Sequence, residues 1–236
     1  MNANGDTISP DVIEALKQFD SPTIMNAIEQ FDVRNRTSGY AGFDLRCMFP
    51  ALPPMVGYAV TATADSTTPE ATPDGRVEEL FDLIDAAPKP CIVVVQNVGS
   101  EVTRSCFAGD MMSRTCQYLG AVGFVTDGGI RDLAGIAERA PGFQVFAGGL
   151  VVSHGIARIM DVDVPVDISG VPIRPGDLLH GDENGLGTVP IEIADDLPAM
   201  AQKVADKEAT LFDVLKEPGR SLDEVKRALF MKPPEE

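Results

Sequence analysis

Two short stretches carry residue types that could do chemistry together: Gly109-Asp110-Met111-Met112, and Arg131-Asp132, with twenty residues between Asp110 and Arg131. The first puts a flexible glycine and a carboxylate at what reads as a helix N-terminus. Backbone N–H groups without intrahelical partners can hold a carboxylate ligand there. The second puts a guanidinium and a carboxylate at the start of the next helix. If both helices follow adjacent parallel strands, their N-termini share one edge of the sheet, where ligands of open α/β sheets bind. Asp110, Arg131 and Asp132 would then converge. Spacing alone leaves a plainer alternative open, because acidic residues in a first helical turn are favoured by the helix dipole and Arg131-Asp132 could be a surface ion pair.

The charge balance narrows the ligand. A formal charge of -17 and a pI near 4.4 argue against nucleic acid, which demands a basic surface to release phosphate counterions. An anionic substrate must instead be drawn in locally, by a bound cation, a few arginines or helix N-termini. Residues 1–10 have no basic stretch followed by an apolar run, and no apolar run is long enough to span a bilayer, so a cytoplasmic protein without a membrane segment is expected. The four cysteines lack any CxxC pairing and read as free thiols in a reducing compartment.

Elements that could position these residues follow from periodicity. Residues 9–31 read as two short helices, the second opened by Ser21 as cap and Pro22 as first helical residue. Residues 32–54 break every period and read as a long loop, of the kind that is often functional or buried against a partner subunit. Residues 55–64 are β-rich, 77–86 form an amphipathic helix, and the continuous apolar run 91–96 suits a strand buried on both faces. A helix over 110–119, a strand over 121–126, a turn at Asp127-Gly128-Gly129 and a helix over 131–139 complete a β-α-β-α rhythm. Short segments at 144–147, 164–168, 177–180 and 187–189 read as antiparallel or mixed strands. Helices over 193–216 and 221–231 close the chain, broken at Pro218-Gly219. These patterns predict one mixed α/β domain over residues 1–236, with a core of about 20–215 and a helical extension of about 216–236.

The stretch Phe107 to Asp132, with Gly109-Asp110 before one helix and Asp127-Gly128-Gly129-Ile130 before Arg131-Asp132, resembles the RraA-like family. That family contains class II 4-hydroxy-4-methyl-2-oxoglutarate / 4-carboxy-4-hydroxy-2-oxoadipate aldolases and the regulator of ribonuclease E activity. Val171-Pro172-Ile173-Arg174-Pro175-Gly176-Asp177, Gly181-Asp182 and Gly187-Thr188-Val189-Pro190 are similar to a further stretch of its pattern. The resemblance implies a swivelling β/β/α sandwich assembled as a homotrimer or homohexamer, with sites between subunits. It assigns Asp132 to Mg²⁺ or Mn²⁺ and Arg131 to the substrate's keto oxygen. Gly109 and the amides of Met111 and Met112 fall to the substrate carboxylate, and Asp110 to a water that shuttles a proton. The implied substrate is a small 2-oxo acid, cleaved by retro-aldol reaction or, for oxaloacetate, decarboxylated. A metal and a guanidinium stabilise the pyruvate enolate common to both.

The remaining candidates read more plainly. Lys17, Lys89, Lys203, Lys207, Lys216, Lys226 and Lys232 lie in terminal helices or, for Lys89, between two prolines, so a Schiff-base route is not expected. His154 and His180 have no paired ligand pattern and read as structural, Glu183 as a solvated turn, and the Met111 and Met112 side chains as core packing. Two other functions compete: a non-catalytic regulator of a ribonuclease gripping basic segments with an acidic surface, and a methyltransferase. The second would need a glycine-rich nucleotide turn, and no GxGxG or GxGxxG is present.

Overall fold

The computed structural model describes residues 7–69, 75–216 and 218–230. Helices α1 (Pro10–Leu16) and α2 (Ser21–Ile28) open the chain. Asp20 caps α2, accepting from the Thr23 N–H, so the cap lies one residue earlier than the Ser21-Pro22 pattern predicts. Ser21 is thereby free to bond elsewhere. Its hydroxyl meets His180 Nδ1 at 2.9 Å, while His180 Nε2 meets the Leu16 carbonyl at 3.2 Å. The fully buried His180 pins both helices to the sheet, and burial pushes its pKa down, in keeping with a neutral ring.

The long loop ends in β1 (Arg46–Cys47), followed by β2 (Met55–Asp65), α3 (Val77–Ala86) and β3 (Cys91–Asn97). Strand β4 (Cys106–Ala108) leads into α4 (Asp110–Tyr118), then come β5 (Ala121–Thr126), β6 (Gly129–Ile130), α5 (Leu133–Arg139), β7 (Gln144–Ala147) and β8 (Gly149–Leu150). The remainder comprises β9 (Arg158–Val162), β10 (Val166–Ile168), β11 (Val171–Ile173), β12 (Leu178–Asp182), β13 (Gly185–Val189), α6 (Leu197–Lys216) and α7 (Leu222–Phe230).

The main sheet runs β1-β7-β5-β3-β2-β12-β13, with β9 also on β2. Its centre, β2-β3-β5-β7, is parallel, and β7, antiparallel to β1 on its other side, is one of the mixed strands expected of the second half. Alternation along β3 explains why its sequence is apolar throughout. Cys91, Val93 and Val95 face a core under α3, α4 and α5, while Ile92 and Val94 face a second core capped by the β10–β11 hairpin. A third core lies under α1, α2 and α6.

The long loop closes this sheet. Tyr40 bridges Gly187 of β13, the Ala41 N–H donates to the Leu186 carbonyl, and β1 pairs with β7 at the other edge. Residues 40–47 thus strap the two sheet edges together and leave the mixed sheet nearly closed. Among the described residues no helix is long and apolar enough to cross a membrane.

Candidate active site

Three parallel strands, β4, β6 and β8, form a small second sheet beside the main one. Its first two strands bring the candidate residues together. Cys106 registers with Gly129 and Ala108 with Ile130, and the ladder continues one step further through the Arg131 N–H to the Ala108 carbonyl at 3.1 Å. Gly109, just past β4, therefore lies beside Arg131, just past β6. A Cβ added at Gly109 would stand 2.9 Å from Asp132 Oδ2 and 3.2 Å from Arg131 Cγ. Two adjacent parallel strands, these short ones, thus bring Gly109 beside Arg131 and Asp132, while the Asp110 side chain turns to Arg139.

Arg131 and Asp132 are not in the first turn of a helix, contrary to the sequence expectation. The helix begins at Leu133, and Asp132 is its N-cap residue in the left-handed region, at φ 60° and ψ 38°. That conformation is uncommon for a residue with a side chain, and aspartate tolerates it better than most. The Asp132 side chain makes no capping bond, so its carboxylate is not spent on the helix. Its ion pair is with Arg131, Nε to Oδ2 at 3.3 Å, and the two side chains remain 36% and 44% exposed.

Asp110 is the first residue of α4, with Gly109 as a cap that offers no side chain. Asp110 Oδ1 accepts from the Met111 N–H at 2.8 Å, and Oδ2 is paired with Arg139 of α5. Met111 is 82% exposed, so its side chain is not the core packing expected, whereas Met112 does pack against the core under the helices. The Met111 amide lies in the first turn of α4, where its N–H is taken by Asp110 Oδ1.

Other candidates separate cleanly. Lys89 Nζ donates to the Ile84 and Asp85 carbonyls at the end of α3, which accounts for it structurally. Lys232 lies outside the described residues. His154 is exposed in a loop, and Glu183 sits in the exposed turn between β12 and β13. All four cysteines are free, and burial pushes the Cys116 thiol up to about 12. Sequence reasoning overlooked Arg139 and Gly135, whose only signal is an arginine four residues after a helical glycine. It also read Asp127 as a turn residue alone. Its Oδ1 accepts from the Asn97 N–H at 2.7 Å, tying the ends of β3 and β5, and burial pushes its carboxyl above the usual range.

A nearly closed mixed sheet, with a carboxylate and a guanidinium gathered beside a short parallel ladder at the start of a helix, defines a mixed α/β protein. The match to the RraA-like family, described as Aldolase/RraA, runs over residues 10–187, and the chain belongs to that family. A protein of Halalkalibacterium halodurans, provisionally named 4-hydroxy-4-methyl-2-oxoglutarate aldolase, is 36% identical over 129 residues, 54% of this chain and 59% of that protein. The chain thus spans about three-fifths of that relative's length. Among solved structures, Streptomyces coelicolor RraAS2, described as an unusual member of the RNase ES inhibitor RraA family, superposes with a TM-score of 0.66 at 24% identity, covering 86% of this chain and 96% of that one. A chain described among novel cellulases from gut-associated microbes superposes at 0.70 with 21% identity, covering 89% and 90%. At these identities the superpositions establish the fold alone.

Proposed function

We propose that the protein is a divalent-metal-dependent carbon–carbon lyase that forms or protonates a pyruvate enolate. Its substrates would be 4-hydroxy-2-oxo acids of the 4-hydroxy-4-methyl-2-oxoglutarate type, with oxaloacetate decarboxylation sharing the site. The observation that carries this reading is the placement of Gly109 against both Arg131 and Asp132 at the open end of α4.

The donor set limits how the metal implied by the family could be held. Among the described residues no group of three or more His, Cys, Asp and Glu could hold a metal ion, so a closed, all-protein cage does not fit. A single exposed carboxylate, free of helix capping, suits a hard cation that keeps most of its waters. Asp132 would hold Mg²⁺ or Mn²⁺, which when bound supplies Lewis-acid polarisation of the keto oxygen.

The chain's own residues do the rest. The Met111 and Met112 amides bind the substrate's C1 carboxylate at the positive end of α4. Gly109 leaves the room a side chain would fill. Arg131 donates to the C2 oxygen, where negative charge collects as the C3–C4 bond breaks. In the retro-aldol direction the C4 hydroxyl proton leaves through a water held by Asp110, C4 becomes a carbonyl, and the bonding pair passes into the C2–C3 enolate. Protonation at C3 then gives pyruvate. Arg131 and Asp132 form an open shelf, which suits completion by a neighbouring subunit in a homotrimer or hexamer.

The test is pyruvate release from 4-hydroxy-4-methyl-2-oxoglutarate and from oxaloacetate. Turnover should require Mg²⁺ or Mn²⁺, vanish with EDTA, and fall by about 100- to 1,000-fold in Arg131→Ala, the scale of losing one oxyanion donor. Folded wild-type protein that turns over neither substrate with either metal would overturn these assignments.

A further inference from the structure

Both oxygens of Asp110 are occupied, one by the Met111 N–H and the other by Arg139. A substrate carboxylate that takes the Met111 amide must displace Asp110 Oδ1 from it. The carboxylate would then swing freely unless something held its other oxygen. Arg139 does so from the far end of α5, reaching back over Gly135. The route exists because position 135 has no side chain: a Cβ there would stand 2.8 Å from the Arg139 guanidinium and 3.0 Å from Asp110 Oδ2. Glycine inside a helix is less favourable than alanine, and here it opens the notch in which the pair meets.

We propose that Arg139 is a positioning residue for Asp110. On substrate binding it keeps Oδ2 fixed while Oδ1, released from the Met111 amide, becomes the oxygen that holds the proton-shuttling water. The pair is exposed at Arg139, 55%, and mostly covered at Asp110, 21%. A surface ion pair of this kind adds little stability, so its effect should be seen in the reaction and not in folding. This inference rests on the lyase reading.

Steady-state pyruvate release from the metal-loaded protein tests it, in wild type, Arg139→Ala, Arg139→Lys, Asp110→Asn and the double variant Asp110→Asn/Arg139→Ala. Arg139→Ala should lower kcat by about 10- to 100-fold, within the range of positioned proton transfer, with KM little changed and thermal unfolding unmoved. Arg139→Lys should recover most of the loss. The double variant should be no slower than Asp110→Asn alone, because both changes disable one device. Losses that multiply in the double variant, or an Arg139→Ala kcat equal to wild type, would overturn the inference while leaving the lyase reading intact. Absence of wild-type turnover would overturn both.

Discussion

At the residue scale, the site depends on what occupies very little space. Gly109 has φ -142° and ψ -161°, extended backbone open to any residue, so its absence of a side chain matters for the site and not for the chain's path. In Gly109→Ala the new methyl would press on the end of the Asp132 side chain, which can move aside, and on Cγ of Arg131, which must give by a few tenths of an ångström. Stability should change by less than about 1 kcal/mol, while turnover should fall by about 100-fold, because small displacements of reacting groups are costly. Thermal unfolding and pyruvate release measured together check this, and unchanged turnover would contradict the packing argument. The approach of the Gly109-Asp110 turn to Arg131-Asp132 could be anticipated from the spacing of two segment starts, although spacing alone left a surface ion pair equally open and the family resemblance carried the reading. Arg139 was not legible, since its partner lies twenty-nine positions away and nothing in the intervening residues announces it.

At the element scale, the long apolar and amphipathic segments were readable. Strand β5 matches its expected bounds, and β3 is buried on both faces as its uninterrupted apolar run required. The two- and three-residue strands β4, β6 and β8 were not readable, because segments so short carry no period and owe their pairing to distant neighbours. Strand β9, also missed, is stitched to β2 by the buried pair of Arg158 and Asp65 at 2.7 Å. Burial alone would raise the Asp65 carboxyl, but hydrogen bonds from Thr68, Thr67 and Arg158 outweigh it and hold the group below the usual carboxylate range. Its stabilising contribution is therefore fully present above the ordinary carboxylate pKa of about 3.9 and is lost as pH falls below it. Removing one partner of such a pair costs about 3–5 kcal/mol near neutral pH. Urea unfolding of Asp65→Ala should show that deficit at pH 7 and a smaller one at pH 3. An equal deficit at both would contradict the assignment.

At the scale of the whole molecule, the long loop reads in sequence only as a break in periodicity with a functional or interfacial role. It is the strap that joins β13 to β7 and closes the sheet, a role that no local pattern could announce because it is defined by two edges far apart in sequence. Closure holds the main sheet as one frame, and the small parallel ladder presents the candidate site beside it. In the proposed lyase, the strongly negative chain would leave the attraction of an anionic substrate to a bound cation, Arg131 and the α4 amides. Enolate formation is the claim on which all of this depends, and it can be read without knowing the natural substrate. Pyruvate incubated in D₂O with the protein and Mg²⁺ should acquire deuterium in its methyl group. The exchange should be lost with EDTA and in Asp132→Ala and Arg131→Ala. Exchange no faster than in buffer, or equally fast in those variants, would contradict an enolate-forming site at these residues.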